Sequence, residues 1–176
     1  AIIVNSPNNP SGVVYSADLI KGLVEYCEKA GIYLIMDDIY HKLMFNGLKP
    51  VSSFKYAKNF SDSSRLIVIN GVSKLYAMTG FRIGWAVANK KLIQVMTNVQ
   101  AQTTSCPSSL LQAAAVGALN GIQSYVDSLT ATLQNNRDVM ISELEAINGV
   151  KVIKPQGTFY CLPDFRAYNR NSAELA

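Results

Sequence analysis

LIVINGVSKLYAMTGFRIG, residues 66–84, opens with an unbroken apolar run from Leu66 to Ile69 and passes at once to Asn70, Gly71 and a polar loop carrying Lys74. A short apolar run closed by a turn signal reads as a strand buried on both faces. The same pattern recurs on either side: AIIV before Asn5, IYLIM before Asp37 and IGWAVA before Asn89. Between the first two runs lies SADLIKGLVEYCEKAG, where Leu19, Ile20, Leu23, Val24 and Cys27 repeat at helical spacing, Ser16 can cap the start and Gly31 follows the end. Strand, helix and strand in that order predict a right-handed parallel unit and an α/β fold.

Downstream the pattern turns helical. Helices are expected from Lys90 to about Gln102, from Ser108 to about Leu119, and over a long polar-faced stretch from Ser124 to Ile147 that reads as a link between domains. After Gly149, KVIKPQGTFYCLPDF returns to short strand-like runs around Pro155 and Gly157. The expected division is therefore a main domain over 1–123, a linking helix over 124–148, and the start of a smaller α+β domain over 149–176.

The composition narrows the function. With 49% apolar and 16% charged residues in 176, the chain has the make-up of a globular protein. Its net charge of +4 is dispersed, with Lys90 and Lys91 the one adjacent basic pair, so nucleic acid is not an expected partner. Cys27, Cys106 and Cys161 form no CxxC pair, so neither a metal site nor a disulfide framework is expected, and a reducing, cytoplasmic setting fits. No apolar run reaches the length that spans a bilayer. The opening at Ala1, inside an apolar run, suggests a piece of something longer.

Ligands of open α/β sheets bind beyond the carboxyl ends of the strands. Three strand ends carry notable chemistry: NSPNNPSG after the first, DDIY after the second, and NGVSKLYAMTGFRIG after the third. SKLYAMTGFRIG resembles the lysine signature of class I/II aminotransferases, which are fold type I pyridoxal-phosphate enzymes. NNPSG resembles that family's NP-[ST]-G turn, and DDIY its D-x-x-Y element. The three occur in the family's order, and the later helices and PQGTFY resemble its continuation toward a small domain. The implied fold is part of a large domain, a mainly parallel sheet flanked by helices, with the start of a small α+β domain.

The residues suit that resemblance. An aldehyde cofactor is held as an imine by a primary amine, which only lysine supplies, and Lys74 sits between a strand end and a glycine-containing loop. Asp37 ends an apolar run, a costly place for a charge unless a cation such as a protonated pyridine nitrogen meets it; the family spacing selects it over Asp38. Asn9 and Tyr40 resemble the two residues that hydrogen-bond the cofactor's ring oxygen. By the family pattern Arg82 faces the cofactor phosphate, and Ser73 adds a hydroxyl. Three residues before the lysine, where several members place a phosphate-binding serine, this chain has Gly71. His41 reads more simply as a partly buried polar residue than as a general base, because Lys74 is the better proton shuttle.

The resemblance implies transamination between an amino acid, aspartate or aromatic, and a 2-oxo acid, with pyridoxal 5'-phosphate as cofactor, no metal, and a homodimer to which TTSCPSS lies close. The same scaffold serves carbon–sulfur lyases and synthases, and the sensing domains of transcriptional regulators. The family's glycine-containing phosphate loop, ring-stacking aromatic and carboxylate-clamping arginine have no counterpart in these residues. The polypeptide alone is therefore expected to be a poor catalyst with unpaired sheet edges.

Overall fold

The computed structural model describes residues 1–57 and 63–175. Four strands, β1 (Ile2–Asn5), β2 (Leu34–Asp37), β3 (Leu66–Gly71) and β4 (Gly84–Val87), form one sheet in that order. β1 to β3 are parallel, and β4 returns antiparallel to β3 with Gly71 opposite Gly84. Three neighbouring strands thus end at the same edge, which brings Asn5, Asp37 and Asn70 close together.

Helix α1 (Ala17–Ala30) crosses between β1 and β2. Ser16 Oγ accepts the Leu19 N–H at 3.2 Å, and Gly31 closes the helix at φ 69°. Ile20, Val24 and Cys27 pack against Val4, Leu34, Met36, Leu66 and Val68, forming the main core. Each such aliphatic side chain contributes roughly 1.5–3 kcal/mol on burial.

Burial on both faces, expected for all four runs, holds only in part. On the face away from α1, Ile3 is 71% exposed and Ile69 is 38% exposed. Val87 pairs with the buried Val68 yet stays exposed, because the α1 core ends at β3. Apolar sequence marks a strand, but its cover must come from a second element.

The downstream helices are α2 (Lys90–Thr103), α3 (Ser109–Asn120) and α4 (Ser124–Glu145), followed by the two-residue strands β5 (Lys151–Val152) and β6 (Pro163–Asp164) and the short α5 (Ser172–Leu175). PQGTFY is not a strand. It crosses to the loops at the sheet edge: Gln156 N–H and Gly157 N–H both give to Gly12 O, Phe45 N–H gives to Gln156 O, and Thr158 N–H gives to Leu43 O. A side chain on Gly157 would put its first carbon 2.5 Å from Leu43 O, so only glycine permits this crossing. Arg137 of α4 locks it from the other side, giving to Pro155 O at 2.6 Å and lying over the Phe45 ring at 4.7 Å. Its Nε is 2.9 Å from Asp138 Oδ1 but out of line for a hydrogen bond, so that attraction is coulombic.

Candidate functional site

The strand ends are fastened by side-chain amides. Asn5 Nδ2 gives to Asp37 O at 3.0 Å, and its Oδ1 accepts the Asn9 N–H at 2.7 Å, so one residue fixes the start of the NNPSG turn to the end of β2. Asn8 Oδ1 accepts from Ser11 Oγ at 2.7 Å and shapes the turn itself, as Asn does where the chain reverses. Asp37 Oδ1 accepts the Ile39 N–H at 3.3 Å, leaving its other oxygen for a further partner.

Tyr40 is the centre of the cluster, with 3% of its surface exposed. Its hydroxyl lies 3.0 Å from Tyr160 Oη, and Phe159 and Tyr160 meet its ring edge-on at 5.7 and 5.9 Å between centroids. Burial raises the Tyr40 phenol above its ordinary pKa, helped by the Tyr160 bond, while the hydrogen bond with the Asn9 side chain works the other way. Lys74 Nζ stands 6.0 Å from the Phe159 centroid, at the outer reach of a cation–π contact. The Tyr40 hydroxyl thus meets the Asn9 side chain and feels the charge of Asp37, and Lys74 reaches the same aromatic group through Phe159.

Thr158 aims that group. It is fully buried at φ 67°, a left-handed conformation uncommon for a β-branched residue. Its Oγ1 accepts the Tyr160 N–H at 3.2 Å. Such a conformation costs about 1–3 kcal/mol and persists only where the surroundings hold it.

Behind Tyr40, Asp38 is pushed up to about 7, chiefly by burial and then by the charge of Asp37. His41 is drawn below its ordinary value by burial, opposed by the Asp38 backbone. His41 Nδ1 is 2.9 Å from Asp38 O and 3.0 Å from Asn70 Nδ2.

Arg82 is not gathered into this group. It adopts φ 55° after the turn at Thr79–Phe81, its Nη1 gives to Thr79 O at 3.0 Å, and it lines an open cleft with Gly84, Ala86, Ile93 and Met96. Ser73 is half-buried beside Lys74. Gly71 has a physical reason: a Cβ there would lie 2.8 Å from Ile83 O, so serine does not fit this backbone. Sequence reasoning missed Asn5, Phe159, Tyr160 and Asn70 as members of the cluster. The aromatic pair after Gly157 was the available signal, and nothing local says that it meets a residue 120 positions earlier.

An amine, a carboxylate, a phenol and an amide around an aromatic group suit a planar cationic ring bearing an aldehyde and a phenolic oxygen. Lys74, Asp37, Tyr40 and Asn9 are the residues that would hold such a cofactor.

Comparison with known proteins gives the same kind of molecule. Residues 1–176 match the family described as aminotransferase class I and II. The chain is 38% identical over 166 residues to an aspartate aminotransferase of Geobacillus stearothermophilus, covering 94% of this chain and 42% of the relative. It is 41% identical over 160 residues to an aspartate aminotransferase of Rhizobium meliloti (strain 1021), covering 90% and 38%. The solved aspartate aminotransferase from Thermus thermophilus with maleate superposes with a TM-score of 0.91 at 32% identity, over 99% of this chain and 44% of that one. The chain spans about two fifths of the length of the curated relatives it matches.

Proposed function

Because the chain belongs to the aminotransferase class I and II family, we propose that its protein moves an amino group from an amino acid to a 2-oxo acid, using pyridoxal 5'-phosphate held on Lys74. The observation that carries this reading is the convergence of Asn9, Asp37, Tyr40 and Lys74 on one aromatic cluster.

When bound, pyridoxal phosphate supplies an electron sink for the charge that develops at the substrate's α-carbon. Lys74 holds it through Nζ and, with that nitrogen free, carries the α-carbon proton. Asp37 keeps the ring nitrogen protonated through charge. Tyr40 and Asn9 donate to the ring oxygen; bonds of that charge-assisted kind contribute about 1.5–3 kcal/mol each. Ser73 and Arg82 would hold the phosphate, Arg82 through its planar guanidinium.

We read residues 1–123 as part of the cofactor-binding domain, 124–148 as the linking helix and 149–176 as the start of the small domain. A homodimer in the cytoplasm completes the reading; a second copy would cover apolar side chains such as Val95, Val99 and Leu110, which are exposed here. No helix among the described residues is long and apolar enough to cross a membrane.

Aspartate is the favoured donor, because the relatives are named for it and the Thermus structure holds maleate, a dicarboxylate. The test is a set of half-reactions with single amino acids on the full-length protein. Release of the matching 2-oxo acid, fastest from aspartate or an aromatic amino acid, is expected; elimination products in its place would move the assignment to a lyase.

A further inference from the structure

The turn that carries Tyr40 and the turn that carries Lys74 leave neighbouring strands, and each must be held for their side chains to face one ligand. The backbones are joined at this edge where Asp38 N–H gives to Ile69 O at 2.9 Å. A second link runs through side chains. His41 Nδ1 lies 3.0 Å from Asn70 Nδ2, and Asn70 Oδ1 accepts the Gly71 N–H at 2.7 Å. Gly71 opens the segment that reaches Lys74 three residues later.

The Gly71 bond decides the direction of the other. With Oδ1 engaged by a backbone donor, the Asn70 amide turns its NH2 toward His41. Nδ1 is then the acceptor, and the ring proton sits on Nε2. The Asp38 carbonyl accepts the His41 backbone N–H at 3.0 Å and, 2.9 Å from Nδ1, is the rival partner that a proton on that nitrogen would engage.

We propose that His41 is a positioning residue: through Asn70 it holds the start of the Lys74 turn against the Tyr40 turn. It is not one of the residues that would hold the cofactor. Burial draws the pKa of the half-buried ring down, which favours the neutral form and keeps the Nδ1 lone pair available. The inference rests on the aminotransferase reading for its consequence, but not for its geometry.

The test uses the full-length protein loaded with pyridoxal phosphate, comparing His41→Asn and His41→Phe with the wild type. Asn places an acceptor oxygen where Nδ1 stands, whereas Phe keeps the ring and removes the acceptor. The readout is the pH midpoint of the visible absorption of the cofactor–lysine chromophore. His41→Phe is expected to move the midpoint by about half a unit or more, with His41→Asn staying at the wild-type value. Midpoints unchanged in both, or moved equally in both, would overturn the proposal. Should the Phe variant not fold, assigned 15N spectra of the His41 ring in the wild type decide: a bare Nδ1 with the proton on Nε2 supports the link, and a proton on Nδ1 of the neutral ring overturns it. This second readout needs no cofactor. A wild type that forms no adduct on Lys74 would therefore sink the aminotransferase reading while the link is judged separately.

Discussion

The loops at the sheet edge and the helices α2 and α3 are both rich in apolar residues, yet they use them differently. At the sheet edge, Leu43, Phe45 and Thr158 are fully buried or nearly so, and the backbone there is bonded to segments more than a hundred residues away. In α2 no residue is buried, and in α3 only Ala115 is. Val95, Val99, Leu110 and Val116 stay exposed, although Asn89 caps α2 firmly, accepting the Leu92 N–H at 2.8 Å. A cap and a periodic pattern make a helix, but they do not supply what it packs against. The sheet edge is set by contacts within the chain, whereas these helix faces have no cover among the described residues.

The sheet edge is most sensitive at Gly157. Gly157→Ala is expected to destabilise the fold by about 3 kcal/mol, because the new methyl meets Leu43 O and Pro7 and must push the crossing segment away. Urea denaturation measures this, and the displaced Phe159 and Tyr160 should weaken cofactor retention in parallel.

Asp38 gives a pH-dependent contrast. Its carboxyl is raised from 3.8 to about 7 in the fold, so the native state binds the extra proton between those values, and stability is lost as pH rises through 7. Asp38→Asn removes that loss. The gain should be negligible at pH 4 and reach about 2 kcal/mol above pH 8, seen as denaturation midpoints that converge at low pH.

Ser16→Ala should cost about 1 kcal/mol through the lost α1 cap, without moving any spectrum of the bound cofactor. The smallest effect belongs to the exposed helices. Val95→Lys with Val99→Lys should change chain stability by less than about 0.5 kcal/mol, while weakening self-association of the full-length protein in sedimentation. A large loss of chain stability would mean that α2 is packed after all.

Much of this was legible in the sequence. The four apolar runs are strands, Ser16 and Gly31 bound α1 as their chemistry predicts, and α2, α3 and α4 begin within a residue of their expected starts. These features are local, set by periodicity and caps. The unread part is long-range. Asn5 looked like part of a turn, and its role in joining Asp37 to Asn9 depends on parallel pairing that brings β2 alongside. PQGTFY has strand-like composition but is spent on the crossing, because Gly12 and Gly157 allow two backbones closer than side chains would. Exposure of Ile3 and Val87 was hidden for the opposite reason, since sequence reports a face's polarity and not its cover.

Lys74 Nζ is the nitrogen expected to carry the cofactor. The full-length protein, loaded with pyridoxal phosphate, is reduced with borohydride, digested and its peptides mapped by mass. The account predicts a single reduced adduct on Lys74, lost in Lys74→Ala with the fold retained. An adduct on another lysine, with Lys74 unmodified, would contradict it.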